Sequence, residues 1–366
     1  MSQRLTIDYQ GAPCYDILFT DSFDALPGEL ERLGLAGKKA CIVTDSNVGP
    51  LYLDAVKSAV ESVCEVTSFE IPAGEEHKNL DEIRRLYAHL IESHLDRKSF
   101  LIALGGGVIG DMTGFAAATY LRGIDYIQIP TTLLSLTDSS IGGKTGVDFD
   151  GYKNMVGAFK MPRLVYSNLS ALKTLDGKQY ASGFAEVMKH GLIRDEDFYV
   201  WLIDHIYEIG DRDMETLQEL LLRSCSVKKN VVESDPLEKG ERAILNFGHT
   251  LGHAIEKYKN FELLHGECVA LGCVAASFIS WKREMISKED YYEIRDMFVP
   301  FGLPISTTEL ENEQIIALTA SDKKVGEGTL RFILLNGIGN AVIVNDVTAE
   351  EMSEALDEIN FDKKDY

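Results

Sequence analysis

The chain of 366 residues lacks the features that mark secreted, membrane and disulfide-rich proteins. Its six cysteines form no CxxC pair and mostly lie in apolar surroundings, which indicates reduced core residues. The longest apolar run, near Cys268 to Trp281, is too short to span a bilayer, and the N-terminal MSQRLTIDYQ has no apolar signal-peptide centre. We therefore expect a cytoplasmic protein with no membrane partner.

Basic residues are also scarce, since 36 Lys and Arg stand against 58 Asp and Glu, for a net charge of -22. A nucleic-acid or anionic-membrane surface needs a basic footprint, so this balance argues against a nucleic-acid partner. An anionic small molecule is still compatible with the composition, provided that cations gather in one cleft.

The pattern of the chain indicates two domains of different class. Short β-rich runs alternate with helical patterns in the first half, as in a parallel sheet flanked by helices. From about residue 178 onward the pattern is mostly helical. We therefore predict an α/β domain with a parallel sheet over residues 1–177 and a mainly α-helical domain over residues 178–366.

The glycine-rich turn at Gly105–Gly107 follows a predicted strand and opens a predicted helix. Backbone amides at such a turn can receive a pyrophosphate, and a tight strand–helix packing turn is the alternative. No acid lies at a strand end about 20 residues further on, as the usual dinucleotide fingerprint expects. Asp45, at the end of an earlier strand, is therefore the candidate for a ribose hydroxyl. Residues 139–159 are predicted to form a long functional loop.

Ionisable side chains concentrate in residues 235–267, which we interpret as one helix with Asp235 capping it and Pro236 at its first position. Wound at about 100° per residue, one face carries Glu238, Arg242, Asn246, His249 and His253. The one-turn spacing of His249 and His253 favours a metal site that His265 could complete. Glu186 is the leading candidate for a carboxylate ligand. The alternatives are a solvated polar face and, for Glu186, an exposed helix charge.

Cations fall in glycine-rich loops or beside these polar candidates, as the charge argument requires. Each alone could be a surface charge, and together they favour an anionic ligand. They are Arg122, Lys144, Lys153, Lys189, Lys228, Arg242, Lys323 and Lys324.

Motifs along the chain, taken in order, resemble the 3-dehydroquinate synthases. The resemblance covers about residues 41 to 335 and rests on GGGVIGD (105–111), YLRG (120–123), PTTLLSLTDSSIGGKTGVD (130–148), KNMVGAF (153–159), GFAEVMKHGLI (183–193), Lys228–Asp235, NFGHTLGHAIE (246–256) and LHGE (264–267). It implies a dehydroquinate synthase-like fold and a homodimer. The implied activity is that of an NAD-dependent, zinc- or cobalt-containing lyase of the shikimate pathway. Such an enzyme converts 3-deoxy-D-arabino-heptulosonate 7-phosphate into 3-dehydroquinate and phosphate.

The resemblance also implies a role for each matching residue. The metal ligands would be Glu186, His249 and His265, while His253 would face the phosphate, against the pairing that helical spacing favours. The catalytic set would be Lys144, Lys189, Lys228, Glu238, Arg242, Asn246 and His253. Substrate would also contact Asp138, Lys153, Asn154, either Lys323 or Lys324, and Arg122 reaching across a dimer interface. NAD would contact Asp45, Asn47, Glu75, Lys78, Gly106, Gly107, Val108, Asp111, Thr131, Thr132, Leu172 and Thr174.

Residues 1–177 would thus bind NAD, and residues 178–366 metal and substrate, with the active site expected between the domains. Sister cyclases that act on other sugar phosphates tend to change the GGKTG loop and the asparagine of NFGHT, whereas Gly142–Gly146 and Asn246 follow the dehydroquinate pattern. Tyr152 and Pro236 are small departures from it. Two rival hypotheses are a glycerol-dehydrogenase-like oxidoreductase and a catalytically silent metabolite-binding protein.

Overall fold

The computed structural model describes residues 3–321 and 330–363. The chain divides into two compact units, residues 1–175 and residues 176–366.

A seven-stranded sheet is the centre of the first unit, with the strand order β1-β2-β9-β6-β5-β3-β4. The pair β1–β2 is antiparallel and the other pairs of this sheet are parallel. The strands of this unit, including a separate hairpin of β7 and β8, are β1 (Gln3–Tyr9), β2 (Ala12–Thr20), β3 (Lys39–Asp45), β4 (Glu65–Ile71), β5 (Phe100–Gly105), β6 (Asp125–Pro130), β7 (Lys144–Phe149), β8 (Tyr152–Phe159) and β9 (Leu164–Asn168). The parallel sheet confirms the predicted class of this unit.

Helices cover both faces of the sheet, because alternate side chains of a strand point to opposite sides. Cys41 and Val43 of β3 pack with α3 and α4, whereas Ala40 and Ile42 pack with α1 and α2. The helices are α1 (Leu26–Arg32), α2 (Gly49–Glu61), α3 (Leu80–Glu92) and α4 (Gly107–Thr119). Short 3-10 helices lie at Glu75–His77, Tyr120–Arg122 and Leu169–Lys173, and a π-helix at Ser135–Ser139.

The predicted irregular loop over residues 139–159 is wrong. The antiparallel hairpin of β7 and β8 occupies most of it, with Lys144 opposite Phe159 and Gly146 opposite Gly157. Val147 and Val156 turn toward the core that α3 and α4 share with the sheet. The glycines that suggested a loop lie instead at a cross-strand pair and at the hairpin turn, where Gly151 has φ 79°.

The second unit is mainly helical, as predicted. Its elements are α5 (Gly177–Arg194), α6 (Glu196–Asp204), α7 (Ile206–Gly210), α8 (Met214–Ser234), a 3-10 helix (Glu241–Asn246), α9 (His249–Tyr258), α10 (His265–Lys282), α11 (Lys288–Asp296), a 3-10 helix (Val299–Phe301), α12 (Asn312–Ser321), β10 (Phe332–Leu335), β11 (Ala341–Val344), α13 (Ala349–Ile359) and a 3-10 helix (Phe361–Lys363). The helix α10 is buried over almost its whole length and contacts α5, α9, α11 and α13. Sequence analysis did not predict α12 or the β1–β2 hairpin.

The single helix predicted over residues 235–267 is also wrong. This segment contains a turn, the 3-10 helix Glu241–Asn246, α9, a loop and the start of α10. Glu238 has φ 56° and Gly248 has φ 79°, and an α-helix accommodates neither value. Glu238, Arg242 and Asn246 therefore do not share an α-helical face with His249 and His253.

Asp235 does not cap an α-helix that begins at Pro236, as we predicted. Its carboxylate accepts hydrogen bonds from the backbone amides of Lys239, Gly240 and Arg242 at 2.9, 2.7 and 3.2 Å. The carboxylate thus closes a turn that leads into the 3-10 helix.

All six cysteines are free; Cys41, Cys225, Cys268 and Cys273 are buried, as predicted for core residues, whereas Cys64 is half-buried and Cys14 is exposed. Burial raises the pKa of the Cys41 thiol to about 12. Within residues 3–321 and 330–363, no helix is long and apolar enough to cross a bilayer.

Candidate active site

Three helices of the second unit, α5, α9 and α10, meet where glycines allow their backbones to approach closely. A Cβ on Gly272 of α10 would overlap the Gly248 carbonyl oxygen and would lie 2.9 Å from the Gly252 nitrogen. A Cβ on Gly266 would overlap the Ser182 carbonyl oxygen of α5, and the Gly266 amide donates a 3.0 Å hydrogen bond to the Ser182 hydroxyl. The absence of side chains at these positions sets the distance between the three helices.

One carboxylate and two imidazoles converge where these helices meet. Glu186 lies on α5, His249 begins α9 and His265 begins α10. Glu186 Oε1 is 3.4 Å from His249 Nε2 and 3.3 Å from His265 Nε2. One oxygen and two nitrogens from three separate helices therefore point at one another.

The charge states of this group follow from burial and from Lys189, whose Nζ forms an ion pair with Glu186 Oε2. Burial alone would raise the pKa of the Glu186 carboxyl, but Lys189 and His249 outweigh burial and hold this pKa well below its usual range. Burial and the Lys189 ammonium lower the pKa of His249 to about 4, although Glu186 acts in the opposite direction. Near neutral pH the group therefore consists of an ionised carboxylate and a neutral imidazole at His249.

The donor set fits a divalent cation. The His249 Nδ1–H donates to the Phe247 carbonyl oxygen at 3.0 Å, so the lone pair of this neutral ring is on Nε2, which faces Glu186. The ligand atoms of Glu186, His249 and His265 all lie within 4.8 Å of one another. Two imidazoles and one carboxylate are a common protein ligand set for catalytic zinc, which keeps a further position open.

His253 lies beside this group. Its ring centroid is 4.9 Å from that of His249 and 5.8 Å from that of His265. The helical spacing of His249 and His253 thus brings the two rings together, as predicted. The second imidazole nitrogen beside the Glu186 carboxylate, however, belongs to His265.

The remaining candidates of the second unit are buried or half-buried and polar. Lys228 on α8 is 5% exposed and Arg242 is 2% exposed. Arg242 Nη1 donates to the Pro236 carbonyl at 2.7 Å, and Asn246 Nδ2 donates to Glu238 Oε1 at 3.2 Å. Lys323 and Lys324 lie outside the described residues.

In the first unit, the glycine turn lies between β5 and the N-terminus of α4. A Cβ on Gly106 would lie 3.1 Å from Thr132 Cγ2, and a Cβ on Gly107 would lie 3.1 Å from Ser139 Oγ. Thr131 and Thr132 follow the end of the neighbouring strand β6. Backbone amides at a helix N-terminus attract anionic groups, so the turn can receive a pyrophosphate.

A polar cluster around the buried side chain of Lys78 joins several residues that the resemblance assigns to NAD and to substrate. Lys78 Nζ donates to Asp111 Oδ2 at 2.7 Å and to Asn154 Oδ1 at 2.6 Å. Lys153 Nζ lies 3.7 Å from Glu75 Oε1. Burial lowers the pKa of Lys78, but the carboxylates of Asp111 and Glu75 outweigh it and raise this pKa above the usual range. Lys153 and Asn154 of the β7–β8 hairpin thus contact the segment that follows β4.

Other candidates of this unit are more dispersed. Asp45 Oδ1 accepts from the amides of Asn47 and Val48 at 2.9 and 3.0 Å, so one of its oxygens stabilises the turn before α2. Thr174 contacts the Tyr52 hydroxyl. In the part of the chain that the structure describes, the Thr131 hydroxyl is buried with no protein hydrogen-bond partner.

The last few candidates are defined by position and exposure. Lys144 is exposed at the start of β7, and Arg122 is exposed with φ 70°. Leu172 is buried, Val108 is half-buried on α4, and Asp138 is half-buried in the π-helix.

Comparison with known proteins decides the family. A model described as 3-dehydroquinate synthase N-terminal matches residues 68–182, and one described as 3-dehydroquinate synthase C-terminal matches residues 183–325. The 3-dehydroquinate synthase of Acetivibrio thermocellus is 46% identical over 321 residues, which are 87% of this chain and 89% of that protein. The chain belongs to the 3-dehydroquinate synthase family.

Solved structures share the fold of this member of the 3-dehydroquinate synthase family. The 2-epi-5-epi-valiolone synthase of Streptomyces hygroscopicus subsp. jinggangensis, solved with NAD+ and Zn2+ bound, is 27% identical, with a TM-score of 0.88 over 96% of this chain and 98% of that chain. Glycerol dehydrogenase of Schizosaccharomyces pombe is 13% identical, with a TM-score of 0.68 over 98% of this chain and 90% of that chain. The second likeness shows a shared fold alone.

Sequence reasoning missed residues that support the site, namely glycines between its helices and one buried glutamate. Gly248, Gly266 and Gly272 set the helix spacing, and Glu256 is buried beside the histidines. A signal was present, because glycine is unfavourable inside a helix by about 1 kcal/mol unless close packing needs it. Gly252 and Gly272, within otherwise helical patterns, carried that signal.

Proposed function

We propose that this chain is a cytoplasmic 3-dehydroquinate synthase, which converts 3-deoxy-D-arabino-heptulosonate 7-phosphate into 3-dehydroquinate and phosphate. The convergence of Glu186, His249 and His265 from three helices carries the proposal, because this reaction needs a hydroxyl polarised by a divalent cation. Membership of the family supports it further.

Glu186, His249 and His265 would hold zinc or cobalt, and the glycine turn before α4 would bind NAD. When bound, NAD accepts a hydride from the substrate and returns it, and the metal ion acidifies the hydroxyl that it polarises. The buried ion pair of Lys189 with Glu186 keeps the carboxylate ionised and aimed at the two imidazoles.

The NAD-binding residues would be those that surround the glycine turn and the ends of the neighbouring strands. They are Asp45, Asn47, Glu75, Lys78, Gly106, Gly107, Val108, Asp111, Thr131, Thr132, Leu172 and Thr174. The buried, unpartnered hydroxyl of Thr131 at the end of β6 supports this part of the proposal, since a bound ligand would supply its missing hydrogen bond.

Cations and amides would hold the anionic substrate. Phosphate and hydroxyl groups would contact Arg122, Asp138, Lys144, Lys153, Asn154, His253 and either Lys323 or Lys324. The carbocycle and its carboxylate would contact Lys189, Lys228, Glu238, Arg242 and Asn246. Lys78 supports this arrangement, because its hydrogen bonds fix the Asn154 side chain beside Asp111. Elimination of phosphate and the later ring closure then need mainly a fixed substrate conformation.

A phosphate-release assay with the heptulosonate phosphate, NAD and added zinc or cobalt tests the proposal. We expect stoichiometric phosphate and 3-dehydroquinate, with no net NADH absorbance, because the same cofactor returns its hydride. Accumulation of NADH in step with product would instead show a dehydrogenase of the glycerol dehydrogenase type. Absence of phosphate release, with turnover of another sugar phosphate, would indicate a related cyclase.

The proposal includes a homodimer, in which Arg122 reaches the substrate of the partner subunit. The exposure of Arg122 at a turn of left-handed backbone supports this role, since an exposed guanidinium can extend toward a second subunit. Light scattering on the purified protein measures the mass directly. A monomer that retains full activity would rule out this part.

A further inference from the structure

Glu256 is a buried carboxylate to which the proposed reaction gives no role. It lies on α9, three residues after His253, and is 3% exposed. A buried carboxylate is unfavourable unless polar or charged groups surround it. Its neighbours must therefore explain its place in the fold.

Two imidazoles surround this carboxylate. One oxygen of Glu256 and one ring nitrogen each of His253 and His265 all lie within 4.8 Å of one another. The i,i+3 spacing puts Glu256 and His253 on one face of α9. The close packing of α9 on α10 brings in His265 from the start of the next helix.

His265 thus lies near two carboxylates, those of Glu186 and Glu256. Its Nε2 is 3.3 Å from Glu186 Oε1, on the side where the ligand atoms converge. An imidazole presents its lone pair to a metal through one nitrogen only if the proton is on the other. A carboxylate that accepts this proton fixes both the tautomer and the orientation of the ring.

We propose that Glu256 is a positioning residue that accepts the Nδ1–H of His265 and so directs Nε2 toward Glu186 and His249. The inference rests on the proposed function, because it requires that Glu186, His249 and His265 bind a metal. His249 needs no such carboxylate, because the Phe247 carbonyl accepts its Nδ1–H. The two imidazole ligands are then oriented by two different acceptors, a backbone carbonyl and a buried side chain.

The test measures Co2+ affinity from the visible absorption of the bound ion in Glu256→Leu and Glu256→Gln. Glu256→Leu removes the acceptor at similar volume, so we expect affinity to fall roughly 10- to 100-fold. Glu256→Gln keeps an acceptor and should restore most of the affinity. The matched control is Glu82→Gln, which alters a glutamate of the first unit that is 8% exposed and paired with Arg85; its Co2+ affinity should equal that of the wild type.

Selective 15N labelling of histidine gives a second readout that does not depend on how Glu256→Leu folds. The Nδ1–H signal of His265, assigned by its loss in His265→Gln, should move when Glu256 becomes Gln. Unchanged Co2+ affinity in Glu256→Leu, or an unmoved Nδ1–H signal in Glu256→Gln, overturns the inference alone. Absence of Co2+ binding by the wild type overturns the metal site as well, so the two failures are distinguishable.

Discussion

Gly272→Ala should weaken metal binding although Gly272 is not one of the proposed ligands. The added Cβ would overlap the Gly248 carbonyl oxygen and lie 2.9 Å from the Gly252 nitrogen. Ordinary non-bonded contacts of this kind begin at about 3.5 Å, so α9 and α10 must separate by at least about 0.6 Å. Both obstacles are backbone atoms, which cannot rotate away as a flexible side chain could.

Two effects of opposite sign compete in this substitution. Alanine in place of glycine favours a helix by about 0.5–1 kcal/mol. Overpacking of a close contact costs about 1–3 kcal/mol, and here it should exceed the gain. We therefore expect the Tm of the metal-free protein to fall by a few degrees, since a loss of 1 kcal/mol lowers the Tm of a domain of this size by about 2–4 °C.

The larger effect should be on the metal, because His249 and His265 lie on the two helices that move apart. Metal–ligand distances tolerate about 0.2 Å, which is less than the required separation of the helices. We expect Co2+ affinity, measured by titration of the visible absorption, to fall roughly tenfold or more, as for other changes that misplace ligands.

Gly177→Ala is the matched control, since a Cβ at this helical position of α5 would meet nothing within 4 Å. It should leave Co2+ affinity unchanged and should not lower the unfolding temperature. Equal Co2+ affinity and equal unfolding temperature of Gly272→Ala and Gly177→Ala would show that the close contact of α9 with α10 does not position the ligands.

Three further substitutions test the proposed roles. Glu186→Gln should lose the metal, measured by elemental analysis, and abolish phosphate release, because it removes the anionic ligand; a metal-replete, fully active variant would contradict the assignment. Lys144→Ala should raise the substrate KM and lower kcat with near-normal NAD affinity by calorimetry, so a selective loss of NAD binding would count against a substrate role. Lys78→Met leaves the Asp111 carboxylate without its ammonium partner and should destabilise the protein by about 3–5 kcal/mol in denaturant unfolding. Because the pKa of Lys78 is raised, its stabilisation should persist through neutral pH and be lost only at strongly alkaline pH; equal stability of variant and wild type at pH 7 would refute this.

Local patterns predicted the first unit well because its signals are short in range. The apolar runs of β3, β5 and β6 are each followed by glycine or polar residues. The glycine turn at residues 105–107 opens α4, as predicted. The β7–β8 hairpin was missed because several glycines in one segment are typical of a loop. The pairing of the two strands joins residues up to 15 positions apart, such as Lys144 and Phe159, and a local pattern does not show it.

The prediction of one helix over residues 235–267 was wrong because a local signal, the glycines that interrupt it, was not weighed against periodicity. Periodicity alone placed polar residues on one face, but Gly240 and Gly248 interrupt the segment, and neither has α-helical φ and ψ. Helical spacing places His249 and His253 one turn apart, because both lie on α9. It cannot predict the position of His265, because a loop separates this residue from α9.

The sequence by itself determined the two structural classes, the glycine turn and, through its motifs, the family. Only the tertiary structure decided which nitrogen and oxygen atoms meet. Glu186 and His265 are 79 residues apart in the chain, and their contact depends on helices packed at glycines. Such packing is a property of opposing surfaces, so a glycine inside a helical pattern can mark a close contact but cannot identify the distant segment that makes it. The burial of Glu256 beside two of the histidines follows from the same packing.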